Sequence, residues 1–145
     1  MILIALALAW APTPCKAYDT NLPFDLRGWT RLGRTLDTGH AVLLPARNKA
    51  AETSVTIRKR GTFGIAVDSQ AWVDVWRGRG KALDMASESR GPACSTIRKI
   101  VRYNLAPGTY RVTATRVEGG RARLMLVYSD ARDRHEILRR HRRHR

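Results

Sequence analysis

Residues Ala71 to Ala114 read AWVDVWRGRGKALDMASESRGPACSTIRKIVRYNLAPGTYRVTA. An alternating segment ending at Trp76 runs into glycines at 78 and 80. A polar loop follows, then a second alternating segment. Leu105-Ala106-Pro107-Gly108-Thr109-Tyr110 then opens a third. Apolar residues at every second position mark half-buried strands, and Pro-Gly marks a turn between two of them. This grammar predicts an all-β, antiparallel fold.

The same period continues on both sides. His40 to Pro45 is a short strand. Thr53 to Lys59 sets Val55 and Ile57 against Ser54, Thr56 and Arg58. Thr62 to Asp68 aligns Phe63, Ile65 and Val67. Gln70 to Arg77 aligns Ala71, Val73 and Val75 against Trp72, Asp74 and Trp76. Thr96 to Leu105 reads as the longest strand. Thr109 to Arg116 turns Tyr110, Val112 and Ala114 inward, and Ala122 to Tyr128 aligns Ala122, Leu124, Leu126 and Tyr128. About seven or eight strands at this spacing predict a jelly-roll-like β-sandwich. Gly61-Thr62-Phe63 and Gly108-Thr109-Tyr110 form a weak repeat, a glycine leading into an inward aromatic. Such a pair is expected at equivalent corners of two packed sheets.

The chain has 145 residues, with 27 Lys and Arg against 12 Asp and Glu, a net charge of +15. The length suits one domain, and 43% hydrophobic residues suit a packed core. The charge points to anionic partners, namely nucleic acid, acidic polysaccharide or other anionic envelope components. It also fits a basic surface that is simply well solvated.

Ile2 to Trp10 is an uninterrupted apolar run. It is too short to span a bilayer and matches the apolar core of a secretory signal. Small residues stand at cleavage positions in both Ala7-Leu8-Ala9 and Cys15-Lys16-Ala17. A buried first strand is the other reading of this run. The expected organisation is a signal peptide and cysteine arm over 1–17, a sandwich domain over 18–131 and a basic tail over 132–145. The protein is then periplasmic or secreted, with no transmembrane span in the mature chain. Cys15 and Cys94 have one possible pairing in an oxidising compartment, whereas cleavage after Ala17 removes Cys15. Tyr18 to Arg34, carrying Trp29, reads as an arm packed across the domain.

Candidate sites are sparse. Trp72 and Trp76 share a strand face with Asp74 between them, an arrangement that can stack on a sugar ring or hold an apolar ligand. The same face can instead be covered by the arm and Trp29, with Asp74 paired to Arg98 or Lys99. This structural reading is the expected one. The tail holds seven arginines against one aspartate and one glutamate. Arg139, Arg140, Arg142, Arg143 and Arg145 are its candidate anion-binding residues, and nucleic acid is expected only through them. A dispensable extension is the other reading. Arg77-Gly78-Arg79-Gly80-Lys81 reads as a hairpin turn, and Asp84 and Glu88 as solvated carboxylates. No nucleophile elbow and no Cys/His cluster is present. His135, His141 and His144 lie in the tail, leaving His40 within the expected fold. No catalytic residue, metal or cofactor is expected.

Two resemblances extend this reading. Asp74-Val75-Trp76, the Gly78 and Gly80 turn, and Leu105 to Val112 resemble the bacterial pre-peptidase C-terminal domain over roughly residues 53 to 128. Those domains are secreted jelly-roll-like sandwiches, and the resemblance implies binding rather than catalysis. The chain is also similar to small exported single-domain proteins of Gram-negative bacteria. Ala71 to Val75, Gly91-Pro92-Ala93-Cys94, Ile97 to Val101, Leu22-Pro23 and Gly28-Trp29 carry that likeness. Some of those proteins bear the label homogentisate dioxygenase, which implies ferrous iron held by two histidines and a glutamate. A single histidine within the fold favours an accessory or binding module, with the oxidoreductase as the alternative.

Overall fold

The computed structural model describes residues 14–129. A short 3-10 helix, Phe24–Thr30, precedes β1 (Leu32–Gly33), β2 (Ala41–Pro45), β3 (Ala51–Ile57) and β4 (Gly61–Val67). β5 (Trp72–Trp76), β6 (Ser87–Arg90), β7 (Lys99–Leu105), β8 (Gly108–Thr115) and β9 (Arg121–Ser129) follow. One sheet has the order β1-β2-β9-β4-β7-β6 and the other β3-β8-β5. All neighbours are antiparallel except β1 and β2. The chain is all-β, as its alternation predicts. β1 and β6 escape that reading for a simple reason. Two residues have no period, and Ser-Glu-Ser-Arg has no apolar face.

The two sheets share one core. Val55, Ile57, Val73, Val75, Tyr110, Val112 and Ala114 come from the three-stranded sheet. They meet Phe63, Ile65, Val67, Val101, Tyr103, Leu105, Leu124 and Leu126 of the other. The Tyr103 hydroxyl crosses between the layers and donates to the Val73 carbonyl at 3.0 Å. Tyr110, at the start of β8, donates to the Ala106 carbonyl at 2.8 Å. This bond ties the β7–β8 turn in the manner of a tyrosine corner.

The six-stranded sheet is apolar on its outer face as well. Ala66, Ile100, Met125 and Val127 point away from the shared core and pack with Leu26 and Trp29. The backbone runs close to its neighbour here, since a Cβ at Gly64 would lie 2.6 Å from Ile100 Cγ2. Trp29 is fully buried. Its indole N–H donates to Thr96 Oγ1 at 2.9 Å, and Thr96 in turn donates its hydroxyl and backbone N–H to the Asp19 carboxylate at 2.6 and 2.8 Å. The Asp19 amide donates to the Cys94 carbonyl at 3.0 Å, and Cys15 and Cys94 form a disulfide. The arm is therefore fixed by one covalent bond, a hydrogen-bond chain and one buried indole.

The structure corrects two expectations. The arm covers the outside of the six-stranded sheet, not the Trp72–Trp76 face. The longest strand is β9, with nine residues, while β7 begins only at Lys99. The preceding residues are diverted. Thr96 binds Asp19, and the Ser95 hydroxyl donates to the Pro92 carbonyl at 2.7 Å. Tyr128, aligned with Leu124 and Leu126 as expected, lies at the open end of β9, edge-on to Phe63 at 5.2 Å between ring centres, and stays partly exposed.

The repeat occupies corresponding corners. Gly61 pairs with Leu105 and Gly108 with Ile57, so β4 and β8 start at the same end, one in each sheet. Gly108 has φ +152°, and the Arg77 guanidinium lies over its α-carbon. No helix among the described residues is long and apolar enough to cross a membrane. The apolar run Ile2 to Trp10 lies outside the described residues. So do the tail residues Arg139, Arg140, Arg142, Arg143 and Arg145.

Candidate functional site

The three-stranded sheet differs from its partner in its outer face. β3 and β8 alternate cleanly, so their outward residues are Glu52, Ser54 and Thr56, and Thr109, Arg111, Thr113 and Thr115. A polar outer face is the pattern of a sheet with water on one side. β5 adds Trp72, Asp74 and Trp76 to this surface, opposite Thr115, Thr113 and Arg111 respectively. Ser54 and Glu52 complete two of those rows from the far side of β8. The structure thus brings the three singled-out residues together on one flat platform.

Their environments are unequal. Trp72 is 56% exposed. Trp76 is held in place, its indole N–H donating to Thr113 Oγ1 at 3.1 Å and its ring 5.1 Å from the Arg111 guanidinium carbon. Arg111 also meets Glu52 at 3.6 Å. The half-buried Asp74 carboxylate makes no hydrogen bond or ion pair with any described residue. The expected pairing with Arg98 or Lys99 is not formed. β5 and β7 belong to different sheets, and Lys99 meets Glu88 at 3.5 Å instead.

Chemically, the platform offers an open indole, a free acceptor and a row of threonine and serine hydroxyls. Trp72 and Trp76 are four strand positions apart, about 13 Å at the usual rise. A ligand that suits it has flat apolar faces and many hydroxyl groups. Nothing on it is poised for acid–base work. Beneath it, burial first, and then the Asp74 and Glu88 charges, push the Tyr103 pKa up to about 12. That phenol stays protonated and bound to Val73.

Other candidate chemistry does not assemble. His40 Nδ1 sits 3.2 Å from Asp37 Oδ1 on an exposed loop. Burial raises the Asp37 pKa, but the Gly39 amide and the His40 ring outweigh it and hold the carboxyl below its ordinary value. Among the described residues, no three His, Cys, Asp or Glu converge where a metal ion could be held. The described residues therefore do not fit the ferrous site that the dioxygenase label implies. The glycine-rich stretch after β5 is a turn, closed by the Trp76–Ala82 bridge and by the Leu83 amide on the Val75 carbonyl at 2.8 Å. A polar depression of about 460 Å³ lies along the arm, lined by Asp19, Asn21, Arg27 and Arg31 among others. Its carboxylate is already committed to Thr96.

The residues that sequence reading missed are Asp19 and Thr96, which anchor the arm. Their signal was faint: a polar pair 77 positions apart, each within a few residues of a cysteine. No family model matches the chain, and neither the curated proteins nor the solved structures yield a match.

Proposed function

We propose that this protein is an exported, non-catalytic binding module, a jelly-roll-like sandwich of the pre-peptidase C-terminal kind that presents its Trp72–Asp74–Trp76 face to a polysaccharide. The observation that carries the proposal is Trp72. A large indole left 56% exposed beside an unpartnered carboxylate has no packing role to explain it. The hydroxyl of Thr115 opposite it, and those of Thr113 and Ser54 further along the face, suit a polyhydroxylated ligand. The Cys15–Cys94 disulfide supports an oxidising compartment, and hence a periplasmic or secreted location. A second reading, attachment to anionic envelope components through the arginine tail, rests on the charge of residues 132–145.

The test is a titration of the full chain with laminarin, xylan and polygalacturonate, read by tryptophan emission. Saturable binding to at least one polymer, lost in Trp72→Ala, is the expected result. Binding to none of the three, or equal binding by the variant, overturns the proposal.

A further inference from the structure

The cations of the described chain are not spread evenly. The β3–β4 turn is Arg58-Lys59-Arg60, and all three side chains are exposed. The turn after β5 carries Arg77, Arg79 and Lys81, also exposed. The strand register places these two turns together. Ile57 pairs with Gly108 and Gly61 with Leu105, so Arg58 to Arg60 flank the β7–β8 turn. On its other side, Arg77 Nη2 donates to the Pro107 carbonyl at 3.5 Å and stacks over Tyr110 at 5.7 Å. Six cations therefore crown one end of the body.

No acidic residue stands in any of the three turns, and none of the six cations forms an ion pair with a described residue. Elsewhere three cations have carboxylate partners. Lys49 meets Glu118 at 3.6 Å at the opposite end, and Lys99 and Arg111 have carboxylate partners. Crowding like charges at one end costs stability, and an anionic ligand relieves that cost.

The cationic end adjoins the tryptophan face. Trp76 is followed directly by Arg77, and Arg111 lies over the Trp76 ring. A polymer lying along β5 past Trp72 and Asp74 runs into Arg77 and Arg79. We infer that the polysaccharide is an acidic one, whose sugar faces meet Trp72 while its carboxylate or sulfate groups meet Arg58, Lys59, Arg60, Arg79 and Lys81. This inference rests on the proposed saccharide face and adds the charge of the ligand. Nucleic acid would use the cations without needing the indole, and so is separable by experiment.

The experiment measures binding of the full chain to polygalacturonate, dextran sulfate, neutral dextran and duplex DNA at ~50 mM NaCl, where charge contacts are strong. The variants are Trp72→Ala, the triple change Arg58→Ser, Lys59→Ser, Arg60→Ser, and the double change Arg79→Ser, Lys81→Ser. All five changes at the cationic end lie in exposed turns, and circular dichroism checks each fold. The inference predicts binding to at least one acidic polysaccharide at least tenfold tighter than to dextran. It predicts a tenfold or larger loss in both cationic-end variants and in Trp72→Ala. Unchanged binding by both cationic-end variants, with Trp72→Ala still impaired, overturns the inference and leaves the saccharide face standing. Full binding by Trp72→Ala overturns the saccharide face itself. DNA bound as tightly as either acidic polysaccharide shows a general polyanion site and overturns the inference. No binding to either acidic polymer overturns the inference.

Discussion

Two tryptophans show what environment does to one side chain. Trp29 is fully buried and hydrogen-bonded to Thr96, whereas Trp72 stands on an open sheet face. Trp29→Ala removes a large packed ring and should cost about 3–5 kcal/mol in urea unfolding. Trp72→Ala should move stability by only about 0.5 kcal/mol, because a solvated side chain far from core and caps contributes little. Equal losses would show that the Trp72 face is covered. Tyr103 yields a prediction in pH. Its pKa is raised from 10.0 to about 12 in the folded chain, by burial first and by Asp74 and Glu88 after it. The unfolded chain therefore loses this proton earlier than the folded one. The stability due to the neutral phenol is intact below pH 10 and is lost as pH rises towards 12, by roughly 2–3 kcal/mol. Tyr103→Phe should be about 1 kcal/mol weaker at pH 8 through loss of the Val73 bond, yet flatter with pH between 10 and 12. Parallel pH profiles for the two proteins would contradict the assignment.

At the scale of elements, the arm is the decisive piece. The disulfide closes a span of 79 residues, which on the chain-entropy account is worth about 4–5 kcal/mol. Reduction, or Cys94→Ser, should therefore lower the urea midpoint sharply. Thr96→Val should add a separate loss by removing the hydroxyl bond to Asp19 and stranding the buried Trp29 indole N–H, while the backbone bond to Asp19 remains. If the chain is processed as an exported protein, intact mass should place its N-terminus before Cys15, as cleavage after Ala9 does. A mature chain starting at Tyr18 would contradict the bonded arm. The strands themselves were legible because β3, β5 and β8 carry a clear period of two and β4 and β9 keep apolar residues at every second position. The destination of the arm was legible too, though by a different signal. Leu124-Met125-Leu126-Val127 is apolar at every position, and Ile100 and Ala66 are apolar where alternation calls for polar residues. A strand apolar on both sides needs a cover on both. Ser54, Thr56, Arg111 and Thr113 say the reverse about the other sheet. The expectation that the arm covers the Trp72 face runs against that pattern. Asp19 and Thr96 were not legible, because a hydrogen bond between residues so distant in sequence has no local signature.

For the whole molecule, charge is the governing quantity. A net +15 with an unpaired cationic end repels itself. Raising NaCl from ~20 to ~200 mM shortens the screening length from about 20 to about 7 Å. This should stabilise the free protein and weaken its hold on an acidic polysaccharide. Salt that destabilised the free chain would show that its cations are already paired. The location of the cationic end was not visible in the sequence. Arg58 to Arg60 and Arg77 to Lys81 are separate runs until the β3–β8–β5 register brings their turns together. The open tryptophan face is the proposed seat of the ligand. The most direct measurement is an NMR titration of the labelled full chain with short oligogalacturonates. A ligand on this face perturbs amide and indole signals that cluster on Trp72, Asp74, Thr113 and the Arg77–Lys81 turn. Perturbations confined to residues 132–145, with the β5 and β8 signals unmoved, would contradict this placement.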